Sequence, residues 1–471
     1  MRGPLLTRRG LLGAAGASIA SISLPPLLQA GQPSLRLVAA PGKASLVGDQ
    51  GPPTRVWAYN GRVPGPLIRA RQGDRLVVEV ENRLDEPTTV HWHGLRIPAR
   101  MDGVPWVSQR PIAPGERFTY AFDLEDAGTF WYHPHINSSS QVGRGLRGVL
   151  IVEEDQAPAV DRELLWVLDD WRLDQEAEIA PFGAMMDASH AGRLGNVATV
   201  NGSVGPDEPM RGGERVRLRL ANVANARTFA LRFGDLPVWL LALDGHPVPP
   251  HQPDGGRIVL GAGMRADLVL DVAAEPGTSV TVVDDAYGPG QAFELKHLRV
   301  EEGLGQVERP APAPLPSNPV AEPDLAAAEH RRIIFEGGAM GAMMGARMGE
   351  HFRTMRELAE AGRLWAINGQ VPEELFRMAP LLSLAQGSSQ RVELINRTAF
   401  PHPIHLHGHA FRVLTRNGAP EPHTPFRDTV LLGTEETVEI AFVADNPGQW
   451  MFHCHVLEHQ EAGMMAVVDV S

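Results

Sequence analysis

The sequence has very little cysteine and very little lysine. Cys454 is the only cysteine among 471 residues, so the chain cannot form an internal disulfide bond in any compartment. Lysine occurs only at Lys43 and Lys296, so arginine carries nearly all of the positive charge. The net charge is -13, which argues against nucleic acid or an anionic membrane as a partner.

The sequence also lacks an apolar run long enough to cross a membrane. The apolar run over residues 10–24 is shorter than the roughly 20 residues that a spanning helix needs, and no later segment is long enough. Arg8 and Arg9 precede this run and Ala30 follows it, which predicts a twin-arginine signal peptide over residues 1–30. We therefore expect export of the folded protein to the periplasm. An Arg-capped helix is the alternative interpretation of these residues.

Length and composition indicate several small domains rich in β-structure. A chain of 471 residues is too long for one hydrophobic core and suggests about three domains. The 49 glycines and 40 prolines favour many short strands joined by turns over long helices.

Three segments share one pattern, over residues 59–82, 200–222 and 367–396. Each has an Asn-Gly pair near its start and ends at an asparagine that follows a glycine at the same interval. Asn-Gly is a strong turn signal, and the alternation of apolar and polar residues before the final asparagine has the period of a half-buried strand. The pattern predicts an all-β chain built from three copies of an antiparallel Greek-key β-sandwich.

We place the three predicted domains at residues 34–157, 160–305 and 325–471. Residues 306–324 lie between the second and third domains and are rich in proline. Such a composition predicts an extended, semi-rigid linker.

Ten of the eighteen histidines lie in four tight groups, two in the first domain and two in the third. On a strand, residues i and i+2 point to the same face, so a His-x-His pair presents two imidazoles side by side. Imidazole is the commonest metal ligand in proteins. The pattern therefore predicts a multi-metal site between the first and third domains. The ten residues are His91, His93, His133, His135, His402, His405, His407, His453, His455 and His459.

The single cysteine lies inside the last of these groups. If residues 452–456 form a strand, Cys454 points to one face while His453 and His455 point to the other. Cysteine, two histidines and a distant methionine are the ligand set of a blue copper site, and His459 and Met464 follow Cys454 at intervals of five. Cys454 is thus predicted to connect two metal centres.

Together these motifs resemble the four copper-binding motifs of the multicopper oxidases, the family of laccases, ascorbate oxidase and bacterial cuprous oxidases. The resemblance spans the mature chain and implies three cupredoxin-like domains that bind four copper ions. It implies a type 1 copper bound by His402, Cys454, His459 and Met464, and a type 2 copper bound by His91 and His405. The implied type 3 pair takes His93, His133 and His455 on one ion and His135, His407 and His453 on the other.

In that family a reducing substrate gives electrons to the type 1 copper, and O2 is reduced to water at the other three. The reduction consumes protons, so an acid must stand nearby. Asp102 resembles the acid that follows the first motif, although a turn residue before Gly103 is the alternative. A second carboxylate is usual at the position of Gln460, which cannot carry a proton, and Glu461 is the candidate to replace it.

Residues 339–355 form a Met-rich segment that resembles the insert covering the type 1 site in bacterial cuprous oxidases. If the segment is a helix, Met340, Met344 and Met348 form an i, i+4 stripe, and core packing is the plain alternative for such a stripe. Thioethers are soft ligands that suit Cu(I). The candidate residues for binding substrate copper are Met340, Met343, Met344, Met348, Met355 and His351.

The resemblance implies an enzyme that oxidises a small reducing substrate with O2. Cu(I) or another metal ion is the favoured substrate, with a role in copper tolerance. Thr398 and Phe400 stand where cuprous oxidases carry Asp and Met, so a broad laccase acting on phenols or aromatic amines is the alternative. A periplasmic copper-binding or scaffold protein is the non-enzymatic alternative. We expect a monomer.

Overall fold

The computed structural model describes residues 35–48, 51–305, 309–374 and 379–471, so the predicted signal peptide lies outside the described residues. Within these ranges the chain forms three two-sheet β-sandwiches with four short α-helices. The helices are α1 (Ser138–Gly143), α2 (Met185–Ser189), α3 (Met355–Glu360) and α4 (Leu457–Glu461). None of the helices in the described ranges has the length and apolarity needed to cross a bilayer.

The first sandwich covers residues 35–153. One sheet has the strand order β2-β1-β4-β6 and the other has the order β3-β8-β7-β5. A 3-10 turn over Ala99–Met101 follows β5. The strands are β1 (Leu35–Ala44), β2 (Thr54–Tyr59), β3 (Ile68–Arg71), β4 (Arg75–Asn82), β5 (His91–His93), β6 (Arg117–Asp123), β7 (Gly128–His133) and β8 (Gly148–Glu153).

The second sandwich covers residues 162–301. Its sheets have the orders β10-β9-β12-β17-β14-β15 and β11-β19-β18-β13-β16. Two 3-10 turns, Asp254–Gly256 and Pro289–Gln291, lie in its loops. The strands are β9 (Arg162–Trp171), β10 (Val197–Val200), β11 (Glu208–Arg211), β12 (Arg215–Asn222), β13 (Phe229–Arg232), β14 (Val238–Leu243), β15 (His246–His251), β16 (Ile258–Leu260), β17 (Arg265–Asp271), β18 (Ser279–Asp284) and β19 (Phe293–Glu301).

The third sandwich covers residues 329–470. Its larger sheet has the order β22-β21-β24-β23-β20-β26-β32-β28-β29, with β30 paired to β28, and its smaller sheet has the order β25-β34-β33-β27-β31. The strands are β20 (Glu329–Gly337), β21 (Gly345–Met348), β22 (His351–Thr354), β23 (Trp365–Ile367), β24 (Gln370–Val371), β25 (Leu382–Leu384), β26 (Ser389–Asn396), β27 (His402–Leu406), β28 (Phe411–Arg416), β29 (Ala419–Pro420), β30 (Phe426–Arg427), β31 (Thr429–Leu432), β32 (Thr437–Val443), β33 (Gly448–Cys454) and β34 (Met465–Val470).

The first asparagine of each repeat closes the same turn in all three sandwiches. Asn60, Asn201 and Asn368 all have a positive φ, between 50° and 56°, as a tight hairpin turn requires. Each side-chain amide also bridges the first strand of its sandwich, accepting from one backbone N–H and donating to the carbonyl two residues earlier. In the first sandwich these partners are Val38 and Arg36, and the second and third sandwiches repeat the arrangement.

The final asparagine of each repeat holds the loop that follows its strand. The buried Asn82, Asn222 and Asn396 each accept from the backbone N–H two residues later and donate to two backbone carbonyls. In the first sandwich the clamped loop leads to His91, and in the third it leads to His402. The repeated asparagines therefore fix local turns of the fold and also position the loops that lead to two of the histidine motifs.

Each sandwich has its own apolar core between its two sheets. The described part of the Pro-rich segment, residues 309–324, contains no regular strand or helix. Asn318 in this segment bonds to Ala127 of the first sandwich and to Gly245 of the second. The segment thus packs on both sandwiches instead of bridging open space.

The Met-rich segment is not the helix that a stripe of methionines would require. Strands β21 and β22 form an antiparallel hairpin there, with Met348 opposite His351, and α3 begins only at Met355. Glycines at 341, 345 and 349 interrupt the segment, and glycine is a poor helix former. The i, i+4 stripe of Met340, Met344 and Met348 therefore does not form.

Candidate metal centre

Two pairs of neighbouring strands bring the histidine motifs together. In the first sandwich β5 pairs with β7, so that His91 lies opposite His133. In the third sandwich β27 pairs with β33, so that His405 lies opposite His453. The two strand pairs face each other, and eight imidazoles meet between the sandwiches. We refer to them as the eight-histidine cluster: His91, His93, His133, His135, His405, His407, His453 and His455.

The cluster is buried, and its nitrogens converge in overlapping groups of three. The ligand atoms within each group lie within 4.8 Å of one another. Three of these groups, His91 with His405 and His407, His93 with His133 and His455, and His135 with His407 and His453, take their members from both sandwiches. Neither sandwich alone could hold such a site.

The hydrogen bonds of the cluster leave a nitrogen free on most of its rings. His91 and His405 donate their Nδ1–H to the backbone carbonyls of Asp102 and Asp428, both at 2.9 Å, and their Nε2 atoms have no partner. In His93 the two ring nitrogens exchange roles: Nε2 bonds to Asp428 and Nδ1 is free. Neither ring nitrogen of His135 or His455 has a partner. Buried polar atoms are rarely left unpaired, so these nitrogens fit bound metal ions.

Burial also keeps the imidazoles in the neutral form that binds metals. Loss of solvent, aided by neighbouring imidazoles, lowers the pKa of six cluster histidines well below its usual range: His93, His133, His135, His407, His453 and His455. Burial lowers the pKa of His405 as well. A neutral imidazole keeps a lone pair for a metal ion, which a protonated ring does not.

A second group lies on the other face of strand β33. The Sγ atom of Cys454 is 3.4 Å from Nδ1 of His402 and 3.8 Å from Nδ1 of His459. Burial raises the pKa of the Cys454 thiol and lowers the pKa of His459 to about 3. Only a bound cation would therefore favour the thiolate here, and a soft thiolate with two imidazoles suits copper. The buried Met464 packs in the same core cluster as Cys454.

Hydrogen bonds fix the orientation of both imidazoles in this group. His402 donates its Nε2–H to the hydroxyl of Thr398 at 2.7 Å. His459 donates its Nε2–H to the carbonyl of His190 at 2.6 Å. Both Nδ1 atoms are thereby left facing the sulfur of Cys454, and they lie 3.1 Å apart.

Asp102 lies against the eight-histidine cluster. Its carboxylate accepts from Nδ1 of His407 at 2.8 Å and lies 3.1 Å from Nδ1 of His91. Asp102 also ends the 3-10 turn before Gly103, so the turn and the cluster contact are both present. Asp102 therefore orients one imidazole of the first sandwich and one of the third.

The sequence analysis missed Asp428, which makes a matching pair of contacts. Its carboxylate lies 3.1 Å from Nε2 of His93, and its backbone carbonyl accepts from His405. The only signal in the sequence is a charged residue at the start of the apolar run of β31. That signal does not say which histidines the carboxylate meets.

The carboxylates near the last motif lie beside α1. Glu461 accepts from the backbone N–H of Ser139, and its side chain is open to solvent. It lines a recess of about 430 Å³ between the three sandwiches. Glu458, which was not predicted, is buried and accepts from the hydroxyl of Ser139 and from Asn225. Gln460 lies 3.4 Å from the hydroxyl of Ser138.

The predicted Met-rich site divides into two parts. Met340 and Met344 are 80% and 84% exposed, and His351 is also exposed. Met343, Met348 and Met355 instead pack against a small apolar cluster around Leu358. The second part is therefore structural packing.

Two further exposed methionines lie near this segment and were not predicted. Met185 and Met186 of α2 are 55% and 64% exposed. Ala339 donates its N–H to the carbonyl of Ser189 at 2.7 Å, which joins the Met-rich segment to the end of α2. The next carbonyl, that of His190, is the one that contacts His459. Exposed thioethers therefore flank the peptide that covers His459.

Family comparisons agree with this geometry. Two family models described as multicopper oxidase match residues 42–157 and 353–471, which contain the two histidine-bearing sandwiches. The chain is 40% identical to a multi-copper oxidase of known structure from Pseudomonas thermotolerans, with a TM-score of 0.81 over 93% of this chain and 98% of that one.

Two further relatives cover most of the chain. It is 29% identical to the multicopper oxidase MmcO of Mycobacterium tuberculosis, over 89% of this chain and 84% of that protein. It is 27% identical to a multicopper oxidase of Campylobacter jejuni described as a metallo-oxidase, with a TM-score of 0.78 over 94% of each chain. Other relatives are named laccases. The chain, with its three cupredoxin-like domains, belongs to the multicopper oxidase family of copper-dependent oxidoreductases.

Proposed function

We propose that this protein is a metallo-oxidase that couples one-electron oxidation of Cu(I), or another metal ion, to four-electron reduction of O2 to water. Four copper ions would supply the redox chemistry. The type 1 ion would be held by His402, Cys454, His459 and Met464, and the other three by the eight-histidine cluster. The observation that carries the proposal is the convergence of eight buried imidazoles between two sandwiches, six of them with a nitrogen that has no partner.

Strand β33 provides the connection between the two centres. The sulfur of Cys454 faces His402 and His459, while the flanking His453 and His455 belong to the cluster. His453 also donates its Nδ1–H to the carbonyl of Cys454 at 2.8 Å. With copper bound at both centres, this strand would offer electrons a covalent route along the backbone and a second route through the hydrogen bond.

The surface above the type 1 site favours a small metal ion as substrate. His459 is fully buried, and the carbonyl of His190 occupies its outer nitrogen. An aromatic ring cannot reach that imidazole without displacing the 188–190 peptide, which Trp365 also holds through a hydrogen bond to Ala188. The exposed thioethers of Met185 and Met340 are soft ligands that suit Cu(I).

A laccase acting on phenols or aromatic amines is the second candidate. The hydroxyl of Thr398 on His402 supports it, because a neutral hydroxyl there offers no charge to attract a metal cation. Steady-state rates with Cu(I), Fe(II) and a simple phenol separate the two candidates. We expect the largest kcat/KM for a metal ion. A phenol turned over faster than both metal ions would reject the metallo-oxidase.

We further propose that the protein acts in the periplasm in copper tolerance and is exported by the twin-arginine route. Arg8 and Arg9 support export by this route. The test is fractionation of cells that express the wild type or the Arg8→Lys/Arg9→Lys variant. We expect the wild type in the periplasm and the variant in the cytoplasm. Periplasmic variant protein would contradict the route.

A further inference from the structure

Arg265 is a fully buried arginine that connects all three sandwiches. It begins β17 of the second sandwich, which contributes no histidine to the cluster. Its Nε–H donates to the carbonyl of Thr129 in the first sandwich at 3.0 Å. Its two terminal nitrogens donate to both carboxylate oxygens of Asp428 in the third sandwich, at 2.9 and 2.6 Å.

Asp428 also forms hydrogen bonds with two cluster histidines that belong to different sandwiches. Its Oδ1 atom accepts from Arg265, from the hydroxyl of Thr429 and from Nε2 of His93. Its backbone carbonyl accepts from Nδ1 of His405. These bonds fix the tautomer of each ring. The proton lies on Nε2 of His93 and on Nδ1 of His405, so Nδ1 of His93 and Nε2 of His405 stay free.

Arg265 is the buried cation that faces this carboxylate, and both side chains are almost fully enclosed by protein. An ionised carboxylate only accepts hydrogen bonds. Without Arg265 the carboxylate would be a buried, unpaired charge, which is strongly destabilising.

Two glycines show how closely the second sandwich fits the cluster. A Cβ atom on Gly94, the residue after His93, would lie 2.3 Å from a terminal nitrogen of Arg265 and 2.6 Å from Asp428. A Cβ atom on Gly263 would lie 2.8 Å from the ring of His455. Both contacts are too short for any other residue, so the backbone leaves room for the guanidinium and for an imidazole.

We propose that Arg265 is a positioning residue for the eight-histidine cluster, acting through Asp428 on His93 and His405. The second sandwich would then contribute to metal binding without supplying a ligand. This inference depends on the proposed function, since it assumes that the cluster holds copper.

The test compares Arg265→Met with Arg217→Met in the full-length, copper-loaded protein. Arg217 is an equally buried arginine of the second sandwich whose ion pairs with Glu154 and Asp267 touch no histidine. Both variants lose a buried ion pair, so both should unfold more easily when free of copper. Only Arg265→Met should release cluster copper to a chelator about 10–100-fold more readily. Its visible thiolate-to-copper absorbance should remain, and its type 2 electron paramagnetic resonance signal should change.

Arg265→Lys and the double variant Arg265→Met/Asp428→Asn cover the case in which Arg265→Met does not fold. The lysine keeps the charge without the two-pronged contact and should retain copper to an intermediate degree. The double variant removes both charges and should fold but still release cluster copper.

Two results distinguish the proposals. If Arg265→Met retains copper as the wild type does and its type 2 signal is unchanged, the role of Arg265 is overturned while the proposed function stands. If Arg265→Met does not fold, the same result in the double variant has the same meaning. If the wild type binds no copper in the cluster, the proposed function itself fails.

Discussion

At the scale of single residues, Cys454 lies between two groups of candidate metal ligands. Alternation along β33 directs its sulfur toward His402 and the imidazoles on either side of it toward the cluster. Burial raises the pKa of its thiol, so the thiolate depends on a bound cation. Changes at this one atom should therefore separate the two centres.

We predict that Cys454→Ser abolishes the visible thiolate-to-copper absorbance and leaves cluster copper in place. A serine hydroxyl is a hard, weak ligand for copper, whereas the cluster ligands are untouched. Substrate-driven O2 consumption should disappear because electrons lose their entry point. Absorbance, copper content and O2 uptake measure these effects. Retained absorbance, or loss of all copper, would contradict the assignment of Cys454.

Asp102 supports a second prediction at this scale. Its carboxylate faces the Nδ1–H groups of His407 and His91, and an asparagine would present an N–H to one of them. Asp102→Asn should lower the rate of O2 reduction about 10–100-fold and leave the visible absorbance unchanged. Asp235→Asn, at an exposed position, is the control and should keep the wild-type rate. Equal rates in both variants would argue against this role.

At the scale of strands and loops, the repeats explain much of what could be predicted. Asn60, Asn201 and Asn368 mark real turns because their local chemistry, a positive φ and an amide that bridges a strand, acts within a short stretch of sequence. The histidine pairs were readable for the same reason, since alternation on a strand is local.

The contacts that could not be predicted are those between distant parts of the chain. Asp428 meets His93 and Arg265 across sandwiches, at separations of 335 and 163 residues, and no local pattern encodes such a meeting. The methionine stripe that a helix would form around Met344 is absent because the glycine-rich segment folds as a hairpin. Met185 was missed because it is distant in sequence from the segment it accompanies.

The asparagine clamp gives a prediction with an internal control. Asn396 and Asn222 make the same three hydrogen bonds, but only the loop held by Asn396 leads to His402, a candidate ligand of the type 1 copper. Each alanine variant should lower the free energy of unfolding by on the order of 3 kcal/mol. Only Asn396→Ala should shift the visible absorbance. Denaturant unfolding of the copper-free proteins and spectra of the loaded proteins test this, and identical spectra would oppose it.

The exposed methionines give another prediction at the scale of a segment. Met340→Leu/Met344→Leu removes two thioethers and keeps apolar side chains of similar size on the surface. We expect a several-fold higher KM for Cu(I), in line with the loss of soft ligands, and an unchanged KM for a phenol. Substitution is a better test than deletion, because deleting residues 339–350 would remove β21.

Met343→Leu/Met355→Leu is the matched control, since both residues pack against the cluster around Leu358. Its KM for Cu(I) should equal that of the wild type. A rise in KM for every substrate in Met340→Leu/Met344→Leu would instead indicate damage to the fold, and no rise at all would reject a copper-docking role for these thioethers.

At the scale of the whole molecule, the cluster lies where the first and third sandwiches meet, and the second sandwich closes it from the side. Arg265 and Gly263 make that contact from the second sandwich, while its own core is separate. The metal ions would therefore join the first and third sandwiches more strongly than they join the second to either. We therefore expect copper removal to affect the contact between the first and third sandwiches more than it affects the second sandwich.

We predict that chelation of copper loosens the facing strands of the first and third sandwiches before it affects the second. A ligand that binds only the folded state stabilises it by mass action, and its removal leaves imidazole nitrogens of His135 and His455 buried without partners. Amide hydrogen exchange should therefore speed up in β5, β7, β27 and β33 of the copper-free protein. Strand β12, in the core of the second sandwich, should exchange as it does in the loaded protein. Equal acceleration in all three sandwiches would mean that copper stabilises the fold as a whole instead of the contact between two of its parts.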